Sequence, residues 1–261
     1  MGEAARKIDI IDARPDFTQA DADMFNARFK DVHASEMLKT LFAEDQLGEV
    51  AVVSSFGTES AVLLHLVSTA DPNIPVTFVD TLKMFPETLE YRETLIQKLG
   101  LNNTRIVQPD AEVLAKKDEN GLRWSFDPDG CCDIRKVEPL ARAKENLNSW
   151  ISGRKAFQSS TRQNLPRFEV EDGRLKINPL GDWIKEDLEA WFEEHDLPRH
   201  PLEAQGYLSV GCAPCTSKVL PGEDPRAGRW RGWDKTECGI HEEVTPLPVA
   251  GDDNGANDPI F

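Results

Sequence analysis

The chain of 261 residues has a formal net charge of −16 and is 39% hydrophobic and 29% charged, which suits one large domain or two small ones with enough apolar material for a real core. That acidity argues against a general nucleic-acid binder, whose affinity comes from neutralising phosphates with Lys and Arg. No apolar run approaches the ~20 residues needed to cross a bilayer, and the N-terminus lacks the apolar h-region of a signal peptide, so a cytoplasmic protein with no membrane partner is expected.

Residues 17–46 hold two stretches with helical spacing, marked by Phe25, Phe29 and Val32 and then by Met37, Leu38, Leu41 and Phe42. A buried strand is predicted from Val50 to Ser54, running into the loop "SSFGTES" and a helix over "ESAVLLHLVSTA". "PVTFVDT" predicts a second strand. "PETLEYRETLIQKLG" predicts a helix with Pro86 in its first turn and Gly100 just past its end. "NTRIVQP" predicts a third strand, Asp133 to Asn146 a further helix, and "SWISGR" another strand. Strands alternating with helices predict an α/β fold with a mainly parallel sheet flanked by helices, which binds ligands at the carboxyl ends of its strands. The tail "PLPVAGDDNGANDPIF" has the composition of a mobile segment.

The loop "SSFGTES", with Ser54, Ser55, Gly57 and Ser60, suits an anion, because backbone N–H groups and hydroxyls gather at the positive end of the following helix. It lacks the Walker spacing, and an ordinary turn with serine caps would read alike.

Four of the five cysteines fall in two pairs: Cys131 and Cys132 in "GCCDIRK", Cys212 and Cys215 in "GCAPCTSK". A C-x-x-C pair converges on a metal centre, and a second pair completes four ligands. Adjacent cysteines fit one compact tetrahedral ion poorly, so a 4Fe-4S cluster is preferred over zinc. Basic residues gather near these motifs in an otherwise acidic chain: Arg135, Lys136, Arg154, Lys155, Arg162, Arg226, Arg229 and Arg231. Their donors match phosphate and sulfate oxygens. The fifth cysteine, Cys238, stands in "KTECGIH" between Lys235 and His241, where positive neighbours favour a reactive thiolate.

Together "CC" with "RKVEPL", "GCAPC" and "KTECGIH" resemble the assimilatory adenylylsulfate (APS) and phosphoadenylylsulfate (PAPS) reductases, over roughly Ser54 to His241. The resemblance implies the adenine nucleotide alpha-hydrolase-like, or PP-loop, fold. It implies that Cys238 attacks the sulfur of a bound sulfonucleotide, with His241 and Lys136 beside it. Substrate would be held by the "SSFGTES" loop, Gly153, Arg162, Arg226 and Arg229, and a 4Fe-4S cluster by Cys131, Cys132, Cys212 and Cys215. Thioredoxin, or a glutaredoxin-like donor, would release sulfite from an S-sulfocysteine on Cys238. The cysteine pairs point to APS rather than PAPS. Residues 1–234 would form one sulfonucleotide-binding domain and 235–261 a mobile segment carrying Cys238; a homo-oligomer is left open. Here "DTLKMFPET" puts Leu82 where the family commonly has glycine. An ATP-using PP-loop enzyme would share the sheet but is expected to carry an "SGGxDS"-like loop, and an iron–sulfur sensor would not need Cys238.

Overall fold

A computed structural model describes residues 17–158 and 165–239. Six strands form one sheet: β1 (Val50–Val53), β2 (Val76–Val79), β3 (Thr104–Val107), β4 (Ser149–Ser152), β5 (Phe168–Glu171) and β6 (Arg174–Ile177), in the order β3-β2-β1-β4-β6-β5. All neighbours run parallel except β5, which pairs antiparallel with β6. β1 and β2 are almost wholly buried runs of Val, Ala, Thr and Phe, as expected of parallel strands covered on both faces.

Helices α1 (Gln19–Arg28) and α2 (Ala34–Ala43) precede the sheet. Phe25 and Phe29 stack on Phe168 of β5 at ring distances of 5.2 and 5.8 Å. Asn26 gives its amide to Phe168 O and takes Phe168 N–H, so α1 satisfies backbone groups that an edge strand would expose. Helix α3 (Ser60–Ala70) follows β1, and α4 (Pro86–Leu99) follows β2, ending on Gly100 at φ 62°. A short α5 (Ala111–Lys117) follows β3.

The helix expected from Asp133 to Asn146 instead belongs to a rod that begins earlier, at Pro128, and has three pieces. Helix α6 (Pro128–Cys132) runs into a π-turn (Asp133–Val137), and α7 (Glu138–Lys144) completes the rod. Pro139 explains the widening: it has no N–H for the carbonyl of Arg135, and Glu138 N–H bonds Asp133 O five residues back. Helix α8 (Lys185–Glu194) and the β5–β6 hairpin were not anticipated. The hairpin turns on Asp172 and Gly173, at φ 51° and 71°, the left-handed pair that an Asp-Gly turn supplies.

The sheet order changes direction at β1. Its right-hand neighbour β4 is reached only after the chain has gone out to β3 and come back. The carboxyl ends of β1 and β4 therefore flank a topological switch point, where such sheets leave a crevice. Among the described residues no helix is long and apolar enough to cross a membrane.

Candidate active site

The crevice is built first by the loop between β1 and α3. Phe56 holds a left-handed φ of 50°, and its fully buried ring meets Phe78 edge-on at 5.5 Å. Burial of that ring offsets the strain of the backbone. The turn is made at Phe56, not at Gly57, whose φ is not in the left-handed region. Ser54 Oγ accepts Phe56 N–H at 3.2 Å. Glu59, at the head of α3, makes no side-chain cap bond; Ser60 N–H is spent on Gly57 O at 3.0 Å, which leaves the next N–H groups of the first turn to meet an anion.

These residues wall a cleft of about 220 Å³. Ser54, Ser55, Gly57, Ser60, Gly153, Lys136, Arg226, Arg229 and Cys238 all line it. Arg162 and His241 lie outside the described residues. Thr81 and Met84 also line the cleft, whereas Leu82 is half exposed at φ 59° and is not part of its wall. Leu82 thus adopts the conformation a glycine would, with its N–H bonded to Asp80 Oδ1 at 2.9 Å.

Cys238 reaches the cleft because the three residues before it are tied down. Arg226 Nη2 donates to Thr236 O at 2.7 Å and pairs with Glu237 at 3.1 Å. Lys235 pairs with Asp129 and lies over the Trp230 ring. Among the described residues Lys136 and Arg229 form no ion pair with a carboxylate; the sulfurs of Cys212 and Cys238 act on both. Burial works against the Lys136 ammonium, but Cys212, Cys238 and Cys132 outweigh it and hold its pKa above the usual lysine range. Burial, with Arg226 adding to it, pulls Arg229 below the usual arginine range, and its Nε is buried without a partner. Two cations facing a thiol with no carboxylate between them form a pocket for an anion.

The other basic residues are already engaged. Arg135 is buried against Asp118 at 2.6 Å and donates to Thr81 O at 2.8 Å. Arg154 pairs with Glu169 at 2.6 Å, Lys155 with Glu59 at 2.9 Å, and Arg231 with Glu223 at 2.8 Å. Sequence reading placed Thr81, Leu82 and Met84 at the nucleotide pocket, of which Thr81 and Met84 line it; it did not anticipate Glu59, Trp230 or Glu237 there. Only Glu59, inside the anion loop, carried a signal, because an acid is unexpected there.

Beneath the cleft a second, small cavity is lined by Cys131, Cys132, Cys212 and Cys215 with Trp124, Pro214 and Trp230. The two pairs meet because Met84 bridges Cys212 and Ala213 N–H bonds Lys83 O at 2.8 Å. Thr81 Oγ1 lies 3.2 Å from Cys212 Sγ. Each glycine before a cysteine pair makes room for an arginine: a Cβ on Gly130 would collide with Arg123, and one on Gly211 with Arg229. Burial pushes the Cys131 thiol up to about 12 and Cys132 to about 11. Positive charge set among them would draw those protons off. Among the described residues no three Cys, His, Asp or Glu side chains are grouped to hold a single metal ion. Four cysteines around one cavity are the donor set that a multi-iron group would need.

Residues 49–218 match the phosphoadenosine phosphosulfate reductase domain model. The chain belongs to this family. The match takes in the anion loop, Lys136 and both cysteine pairs, and Cys238 lies C-terminal to it. The chain is similar to an adenosine 5'-phosphosulfate reductase of Mesorhizobium japonicum, at 45% identity over 90% of this chain and 93% of that one. It is also similar to a phosphoadenosine 5'-phosphosulfate reductase of Photobacterium profundum, at 38% identity over 84% of this chain and 87% of that one. Among solved structures, the phosphate complex of a Candida auris phosphoadenylyl-sulfate reductase superposes with a TM-score of 0.66 at 28% identity, covering 78% of this chain and 98% of that one. The fold is the α/β PP-loop fold of the family.

Proposed function

We propose that this protein is an oxidoreductase of cytoplasmic sulfate assimilation that reduces adenosine 5'-phosphosulfate to sulfite and AMP, with Cys238 as nucleophile. The observation that carries the reading is the shared cleft: Cys238, Lys136 and Arg229 stand in one pocket with an uncapped helix N-terminus. The family membership and the names of similar proteins support the substrate class.

The phosphate of the nucleotide rests on the α3 N-terminus and the serines of the loop, with the sulfate turned toward Lys136 and Arg229. The Cys238 thiolate attacks sulfur; the S–Sγ bond forms as the bond from sulfur to the phosphate oxygen breaks, and AMP leaves with the electron pair. Lys136 and Arg229 stabilise charge building on the departing phosphate. A thiolate of a dithiol donor, thioredoxin or a glutaredoxin-like protein, then attacks Cys238 Sγ and expels sulfite. The donor's second thiol restores Cys238 and leaves the donor as a disulfide, so its two electrons balance the reduction. Cys131, Cys132, Cys212 and Cys215 are the residues that would hold a 4Fe-4S cluster, which when bound adds fixed charge beside Lys136. Residues 235–261 would act as a segment that presents Cys238 first to substrate and then to the donor.

The test is sulfite and AMP release from adenosine 5'-phosphosulfate with reduced thioredoxin. Wild-type protein releases both in equal amounts, and Cys238→Ser falls to background while keeping its iron. Turnover by Cys238→Ser, or AMP formation from ATP with pyrophosphate instead, would overturn the assignment.

A further inference from the structure

The segment that carries Cys238 is seated on one rod of the fold. Residues 235–238 are neither helix nor strand, yet the rod meets the segment on both sides of the thiol. Before it, the Lys235 ammonium pairs with Asp129 on α6, and the Lys235 side chain is only 9% exposed. After it, the Gly239 backbone lies against Val137, the last residue of the π-turn: a Cβ on Gly239 would stand 3.4 Å from Val137 Cγ2. The contacts come in the same order on both partners, 129 before 137 and 235 before 239.

The spans are compatible. Eight helical steps from Asp129 to Val137 cover about 12 Å. Four steps of chain from Lys235 to Gly239 reach up to about 14 Å, so the segment can follow the rod from one contact to the other. Gly239 suits its place: it lies at φ 81°, where a side chain is strained, and a Cβ there would already touch Val137. The Asp129 carboxylate is 79% exposed, so water and salt weaken the pair. It sets the segment's register rather than clamping it. Lys136 belongs to the same rod, and it lines the cleft together with Cys238.

We infer that α6 and the π-turn are the track on which the nucleophile is positioned: Asp129 with Lys235, and Gly239 on Val137, are positioning residues that set Cys238 beside Lys136. One rod then carries both the cation and the seat of the thiol, and their spacing is fixed by a single element.

The inference rests on the proposed function for its rate readout, and a second readout needs no turnover. On the full chain, cleavage after Glu237 by a glutamate-specific protease, mapped by mass, reports how often the segment leaves the track. Rapid quench reports S-sulfocysteine formation from adenosine 5'-phosphosulfate, and titration with AMP reports nucleotide binding. Asp129→Lys sets like charges together. It is expected to speed the cleavage and slow S-sulfocysteine formation by about fivefold each, with AMP binding unchanged. Adding Lys235→Asp restores the pair in reverse and recovers most of both. Gly239→Ala, which leaves every charge in place, moves both readouts in the same direction as Asp129→Lys. Wild-type behaviour of Asp129→Lys or of Gly239→Ala, or a double variant as impaired as Asp129→Lys alone, overturns the inference. So does AMP binding lost in step with the rate, which would mark a general structural role. A wild type that forms no S-sulfocysteine overturns the proposed function, and the protease readout still decides this inference.

Discussion

Single side chains divide the cleft's work. Lys136 and Arg229 face Cys238 with no carboxylate between, so Lys136→Ala or Arg229→Ala is expected to slow S-sulfocysteine formation by about 10²-fold or more, the size typical of losing one donor to developing charge. Rapid-quench measurement of the first turnover checks this. Gly211→Ala should do part of the same damage without touching a charge, because a Cβ there collides with the Arg229 guanidinium. Leu82 makes the opposite case. It is half exposed and strained at φ 59°, and a left-handed L-residue costs roughly 1–2 kcal/mol. Part of that relief is offset by glycine's greater freedom when unfolded. Leu82→Gly is therefore expected to raise Tm by roughly 2 °C, read by calorimetry, with no gain in turnover.

At the scale of elements, the segment that carries Cys131 and Cys132 is locked to the end of α5 by one buried ion pair. Arg135 and Asp118 are 5% and 2% exposed in their side chains, and Arg135 also holds the carbonyl of Thr81. Burial opposes the Asp118 carboxylate, but the N–H of Arg123 and the Arg135 guanidinium outweigh it and keep its pKa below the usual carboxylate range. A lowered folded pKa stabilises above the unfolded value near 3.9 and is lost as pH falls through the folded value. Acid unfolding should therefore show an Asp118-dependent loss below about pH 4. Asp118→Asn should remove that dependence and destabilise at neutral pH by about 3 kcal/mol, since it strands a buried guanidinium; urea unfolding at two pH values checks both. Cys132→Ser should lose iron and visible absorption, and an unchanged spectrum would remove Cys132 from the ligand set. The elements that were legible in the sequence were those with a strong period or a strong cap: the runs of β1 and β2, the proline-to-glycine span of α4. The π-turn was hidden because it differs from α-helix by one hydrogen bond rather than by composition. The β5–β6 hairpin was marked by Asp172 and Gly173, but its strands alternate charged and apolar residues too briefly to stand out beside the parallel core.

Across the whole molecule, the site is assembled from segments far apart in sequence. The anion loop comes from β1, Lys136 from the π-turn, Arg226 and Arg229 from a loop after the last helix, and Cys238 from beyond it. Which residues the fold gathers at the cleft and the small cavity was readable from motifs, because cysteine pairs and a thiol flanked by cations are local signals. How the basic residues divide came only from the family resemblance, not from the residues themselves. Arg135, Arg154, Lys155 and Arg231 look like Arg229 in the sequence, and only the folded chain shows each matched to an acid. The same holds for Arg226, which grips the backbone and the acid next to Cys238 and so couples the cleft to the position of the thiol.

The account stands on covalent capture of sulfur by Cys238, and intact-protein mass spectrometry tests it most directly. The full chain is mixed with adenosine 5'-phosphosulfate and no reductant, then digested. The account predicts a gain of one SO3 unit, mapped to Cys238 and removed by reduced thioredoxin. AMP release with Cys238 unmodified, or an adduct on another residue, would contradict it.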